Sequence, residues 1–168
     1  MQSHSSAEEV SVLGAASSEN HSAASAMGRK PRVMVVDDHP AFRNCLIQVL
    51  RKIKGLDIVA SAGDGWQAVV FAMQLHPDMI IMDVNMPVLN GIEATRMIAE
   101  ALPETRVIGL SMHSEGGIAE QMRAAGAINR FLKDGPVEEL LAAIQSQLDL
   151  ISRTDNIGSN CPAKISTI

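Results

Sequence analysis

The feature that most constrains this chain is a fivefold alternation of short apolar runs with helix-period patterns, starting abruptly at Arg32. Val33-Met34-Val35-Val36 is the first run, and Phe42, Cys45, Leu46, Val49, Leu50 and Ile53 then recur at helical spacing up to Gly55. Asp57 to Ser61 forms the second run, followed by a helix through Ala68, Val69, Ala72 and Leu75. Met79-Ile80-Ile81-Met82 is the third, and Asn90-Gly91 opens a helix carrying Ile92, Met97, Ile98 and Leu102. Val107 to Leu110 precedes a helix with Ile118 and Met122. Ile128 to Leu132 precedes the last helix, marked by Val137, Leu140, Leu141, Ile144 and Leu148.

Such alternation implies right-handed βαβ units, and hence a parallel sheet with helices on both faces. Runs one, three and four are apolar throughout, as strands buried on both sides must be. Runs two and five carry Asp57, Asn129 and Arg130, which suits sheet edges. Two edges and three centres fit a doubly wound α/β fold, a five-stranded parallel sheet in the order 2-1-3-4-5.

Residues 1–29, rich in Ser and Ala, bury too little apolar surface to offset their ordering entropy and read as a disordered tail. Residues 30–150 form the folded domain, and residues 151–168 read as a flexible C-terminal tail. With 46% apolar residues the domain can fill a core, although only Phe42, Trp66, Phe71 and Phe131 are aromatic. A net charge of −5 with mixed signs gives no basic face for nucleic acid. The short cluster Arg29-Lys30-Pro31-Arg32 reads as a solvated flank. No run reaches the ~20 apolar residues of a membrane span, and the N-terminus lacks the order of a signal peptide. Cys45 and Cys161 match no metal or redox spacing, and Cys45 reads as a buried small hydrophobe. A soluble, cytoplasmic protein is the expectation.

In an open parallel sheet, ligands collect beyond the carboxyl ends of the strands where strand order reverses. Asp37 and Asp38 follow run one, Asp83 run three, Ser111 run four and Lys133 run five. Singly, each has a bland reading: a helix cap for Asp37 or Asp38, a loop residue for Ser111, a surface lysine for Lys133. Five suitable residues at corresponding ends of four strands are a constellation. Three converging carboxylates repel unless protonated or neutralised by a cation, and oxygen donors without His or Cys favour Mg²⁺. With the Lys133 ammonium they make a place for a phosphoryl group.

Val35-Val36-Asp37-Asp38-His39-Pro40, Ile81-Met82-Asp83-Val84-Asn85-Met86-Pro87, Leu110-Ser111-Met112-His113 and Phe131-Leu132-Lys133-Asp134 resemble the signature segments of response-regulator receiver domains of two-component signalling. The resemblance spans about Arg32 to Leu148 and is strongest to the NarL/LuxR-type subgroup. It implies the (βα)5 flavodoxin-like fold and a switch rather than an enzyme, with Asp83 accepting phosphoryl from the phosphohistidine of a histidine kinase or phosphotransfer protein. It further implies Mg²⁺ held by Asp38, Asp83 and the Asn85 backbone carbonyl, with Asp37 acting through water. Lys133 would pair with the phosphoryl oxygens and Ser111 would turn its hydroxyl onto them. The face of helix 4, strand 5 and helix 5 would meet an output partner or a second copy, with no direct nucleic-acid binding by this chain and no membrane contact.

Three residues tune that expectation. Arg130 stands where many members carry an inward-moving aromatic, Met112 is larger than the small residue usual beside the serine, and His113 flanks the site. Two alternatives differ in class. A non-phosphorylated pseudo-receiver would use the fold for binding alone. A phosphohydrolase of the haloacid-dehalogenase type would need an acid two residues after the nucleophile, where this chain has Asn85.

Overall fold

A computed structural model describes residues 29–112 and 117–158, with side chains described to residue 153. The expected tail preceding residue 29, most of the one following residue 150, and His113 lie outside the described residues. The elements run β1 (Arg32–Val36), α1 (Pro40–Leu50), β2 (Asp57–Ala62), α2 (Gly65–Leu75) and β3 (Met79–Asp83). They continue α3 (Gly91–Ala101), β4 (Arg106–Ser111), α4 (Ile118–Ala124), β5 (Asn129–Leu132) and α5 (Val137–Gly158). All pairings are parallel and the strand order is β2-β1-β3-β4-β5. The reversal between β1 and β3 opens the crevice above their carboxyl ends.

Period-two alternation in the central strands divides the core between the two faces. Met34, Val36, Ile80 and Met82 pack with α2, α3 and α4 through Ala68, Ala72, Ile98 and Met122. Val33, Val35, Ile81, Ile108 and Leu110 pack with α1 and α5 through Leu46, Leu50, Leu140, Ile144 and Leu148. Every residue of β3 is buried, whereas Asp57 at the free edge of β2 and Asn129 on β5 are exposed.

At the amino-terminal rim, Asp78 ties three strands together. Its backbone N–H donates to the Arg32 carbonyl (2.8 Å) and its own carbonyl accepts from Arg106 N–H (2.9 Å). Its carboxylate accepts the Arg32 N–H at 2.7 Å and both Arg29 terminal nitrogens at 2.7 Å each. The Arg32 guanidinium caps the last turn of α2 by donating to the Leu75 carbonyl.

Three expectations need correction. Cys45 is exposed, not buried. The buried arc of α1 centres on Leu46 and Leu50, and at 100° per residue Cys45 points about 120° away from it. The chain leaves α1 at Leu50 rather than at Gly55, so Ile53 stands in the following turn. Finally, the boundary expected at residue 150 falls inside α5. That helix continues to Gly158, and Ile151 joins Leu140, Ile144 and Leu148 in the core.

Candidate functional site

The β1–α1 turn brings two carboxylates to the crevice in different environments. Asp37 is fully buried, and its Oδ1 accepts the His39 backbone N–H at 2.9 Å. Asp38 is partly exposed, and its Oδ1 lies 2.9 Å from His39 Nδ1. His39 ends the turn and Pro40 begins α1, where a missing N–H costs nothing. The ligand-capable atoms of Asp37, Asp38 and His39 lie within 4.8 Å of one another. The expectation of oxygen donors with no His nearby needs correction, because His39 follows the two acids in the chain and its Nδ1 stands against Asp38.

Asp83, 2% exposed, ends β3 beside β1. Lys133 follows β5, positioned by its backbone N–H donating to the Ser111 carbonyl at 2.9 Å. From there its Nζ reaches back across the strand ends to Asp37 Oδ2 at 2.7 Å and Asp83 Oδ2 at 2.8 Å. One ammonium thus bridges two buried carboxylates, and its side chain is only 5% exposed. Burial pushes the Asp83 carboxyl above the ordinary range and the neighbouring Asp37 pushes it further, while Lys133 pulls down without cancelling them. Burial alone would lower the Lys133 ammonium, but the two carboxylates outweigh it and hold the pKa above its ordinary value.

The loop after β3 is clamped at both ends by close backbone approaches. Gly91 N–H donates to the Val84 carbonyl at 2.9 Å, and a Cβ at Gly91 would stand 1.9 Å from the Asp83 carbonyl oxygen. Gly65, opening α2, donates to the Leu89 carbonyl at 3.2 Å, and a Cβ there would stand 2.2 Å from it. Between these clamps Val88 has φ of 69°, an uncommon backbone for a β-branched residue. Asn85 is exposed, and its backbone N–H donates to Asp83 Oδ1 at 3.3 Å.

The structure therefore brings Asp37, Asp83 and Lys133 into direct contact and sets Asp38 beside them. Ser111 is fully buried at the end of β4. Met112, the next residue, is 54% exposed. Arg130 is half-buried on the α4 side of β5, lining a small cleft with Ala119, Met122, Arg123 and Asn129. Its stem passes close to Gly109 of β4. Among the described residues, no helix is long and apolar enough to cross a membrane.

A doubly wound five-stranded parallel sheet in the order 2-1-3-4-5 is the fold of CheY-like domains. Residues 33–145 match the response regulator receiver domain family, and the chain belongs to it. It is 33% identical over 116 residues to the transcriptional regulatory protein DegU of Brevibacillus brevis, covering 69% of this chain and 49% of that protein. It is 34% identical to the response regulator GacA of Pseudomonas aeruginosa, covering 68% of this chain and 53% of the relative. The chain thus spans about half the length of the curated relatives it matches.

Among solved structures it resembles a LuxR-family two-component response regulator from Aurantimonas sp. SI85-9A1, with a TM-score of 0.68 at 32% identity, covering 71% of this chain and 86% of that one. The receiver domain of the putative response regulator NarL from Mycobacterium tuberculosis gives a TM-score of 0.67 at 30% identity, covering 72% and 98%. The resemblance to NarL/LuxR-type receivers stands. This is a receiver domain of a two-component system, from a family whose members work with histidine kinases and output domains and are generally not enzymes.

Proposed function

We propose that this chain is a phosphorylation-controlled switch in which Asp83 accepts a phosphoryl group from a phosphohistidine, with Mg²⁺ as cofactor. The observation that carries this reading is the Lys133 bridge between Asp37 and Asp83. One cation there balances two buried carboxylates, with Asp38 adjacent, so negative charge exceeds positive and a divalent ion has oxygen donors to meet. Asp38, Asp83 and the Asn85 backbone carbonyl would hold it, with Asp37 acting through water. Mg²⁺ supplies charge neutralisation for the incoming phosphoryl oxygens.

Asp83 attacks phosphorus through a carboxylate oxygen, the P–N bond to the donor imidazole breaks, and the imidazole nitrogen retains the bonding pair. Lys133 shifts from the carboxylates to the phosphoryl oxygens, and the Ser111 hydroxyl donates to one of them. The phosphoryl group carries about −1.5 to −2 charges, and because the acyl-phosphate link consumes the carboxylate's own charge, the net gain at this point is about one negative charge. Movement of the segment carrying Ser111 and Met112 then reshapes the face formed by α4, β5 and α5, where an output partner or a second copy docks. Arg130 lines that face beside Met122, in the place of the usual aromatic. Because a guanidinium is costly to bury, Arg130 would report the change by re-pairing at the surface rather than by moving inward.

The test is intact-protein mass after incubation with acetyl phosphate, with and without Mg²⁺, on wild type and Asp83→Asn. A single Mg²⁺-dependent adduct, absent from the variant, is expected. No adduct in wild type under either condition would overturn the reading in favour of a domain that signals by binding alone.

A further inference from the structure

Lys133 has a neighbour that the phosphoryl-transfer reading leaves unused. Its Nζ lies 4.9 Å from the centroid of the Phe42 ring, inside the ~6 Å range of a cation–π contact. The pair joins the first turn of α1 to the residue after β5. The sequence pattern accounted for Phe42 as core, and it does pack partly buried against the α1–α5 side of the sheet. Part of the ring is nevertheless turned to the ammonium that bridges Asp37 and Asp83.

We propose that Phe42 is a positioning residue for phosphoryl acceptance, its ring face holding the Lys133 ammonium at the crevice while Asp37 and Asp83 give up that ammonium, Asp37 to the metal's water shell and Asp83 to metal and phosphorus. The proposal rests on the reading that Asp83 is phosphorylated. Its logic lies in which contacts survive the exchange. An ammonium has three N–H donors, and here it meets Asp37 Oδ2 and Asp83 Oδ2. Both carboxylates belong to the set on which a divalent cation would draw. An aromatic face offers no oxygen donor to a hard divalent ion, so the cation does not compete for it. As the carboxylates turn to other partners, the ring remains, and its share in holding the ammonium grows. With the lysine side chain 5% exposed, water screens the contact little, the condition under which a cation–π contact is strongest. A leucine at position 42 would fill the core side of the ring's place but present no negative face.

The experiment replaces Phe42 with phenylalanines bearing one, two or three ring fluorines, which nearly conserve shape while draining the negative face. Phe42→Tyr and Phe42→Leu flank the series. Three quantities are read on the full chain: the initial rate of adduct formation with acetyl phosphate and Mg²⁺, the Mg²⁺ affinity, and the thermal midpoint. The rate is expected to fall in step with fluorination, by about 2- to 30-fold at the far end, from the ordinary strength of such contacts. Phe42→Tyr should retain most of what Phe42→Leu loses. Mg²⁺ affinity should hold or rise, because a loosened Lys133 competes less for Asp83.

A trifluorinated ring working at the wild-type rate would overturn the proposal and leave the reading of Asp83 intact. So would Mg²⁺ affinity falling in parallel with the rate, the mark of a structural role alone. Wild type taking up no phosphoryl group would remove the reading and the proposal together. If Phe42→Leu fails to fold, the fluorinated series still decides.

Discussion

Removing the Lys133 ammonium should destabilise the protein and make it more responsive to Mg²⁺. Lys133→Met keeps an unbranched apolar stem but leaves Asp37 and Asp83, 0% and 2% exposed, as adjacent uncompensated carboxylates. Breaking a buried pair by deleting one partner costs about 3–5 kcal/mol. Protonation sets a ceiling on that loss. Converting one carboxylate of ordinary pKa near 3.9 to its acid at pH 7 costs about 4 kcal/mol, and at pH 5 only about 1.5 kcal/mol. The expected loss without metal is therefore about 3–4 kcal/mol at pH 7, shrinking to no more than about 1.5 kcal/mol at pH 5. Mg²⁺ at a hundred times its dissociation constant should restore about 2.7 kcal/mol to the variant. It should restore less to wild type at the same concentration, because there the ammonium already occupies the carboxylates. Urea unfolding at both pH values, with and without Mg²⁺, measures all four quantities. A variant as stable as wild type at pH 7 without metal, or Mg²⁺ stabilising wild type the more, would refute the charge accounting.

Other consequences are simpler to measure. Asp78→Asn should cost about 1–2 kcal/mol in urea unfolding at pH 7, the lower part of the range for charged hydrogen bonds because Arg29 is half exposed. Burial would raise the Asp78 carboxyl, but hydrogen bonds and charge from Arg29 and Arg32 outweigh it and hold the pKa below its ordinary value. Its contribution is thus present above about pH 4 and lost as pH falls through the folded-state pKa, so wild type and variant should converge in acid. Gly91→Ala drives a methyl to 1.9 Å from the Asp83 carbonyl oxygen and should cost about 1–3 kcal/mol by thermal unfolding, with weakened Mg²⁺ affinity. Cys45 should react with a thiol reagent in the native state as fast as in urea; protection in the native state would contradict its exposure.

The fold was largely legible because a parallel sheet covered on both faces demands continuous apolar strands, and Met79 to Met82 could be little else. Edge strands betrayed themselves through Asp57 and Asn129. The candidate site was legible as a set, since strand ends in this topology converge whatever lies between them. Contacts made across elements were not. Nothing in the local pattern said that Lys133 would bridge Asp37 and Asp83, or that Phe42 would stand beneath its ammonium. Cys45 lies on the apolar stripe of α1 and yet is exposed. An i, i+3, i+4 stripe fixes a face only to within a broad arc, and the buried direction of α1 lies toward Leu46 and Leu50. The end of α5 is less legible because the polar run from Ser152 to Asn156 reads as tail, although Ile151 lies one turn beyond Leu148 on the same face.

The two rims of the sheet differ in electrostatic character. At the carboxyl-terminal rim, acids crowd around a single lysine, whereas at the amino-terminal rim Asp78 is satisfied from every side by Arg29, Arg32 and Arg106. Mutational tolerance should divide along the same axis. Changes at the amino-terminal (lower) rim should alter how much of the chain is folded rather than the chemistry at the carboxyl-terminal (upper) one. Losses accumulated while the upper rim diversifies can therefore be offset at the lower one. A destabilised but informative variant of the crevice can be brought back to workable stability from the opposite end of the strands, without touching the chemistry under test.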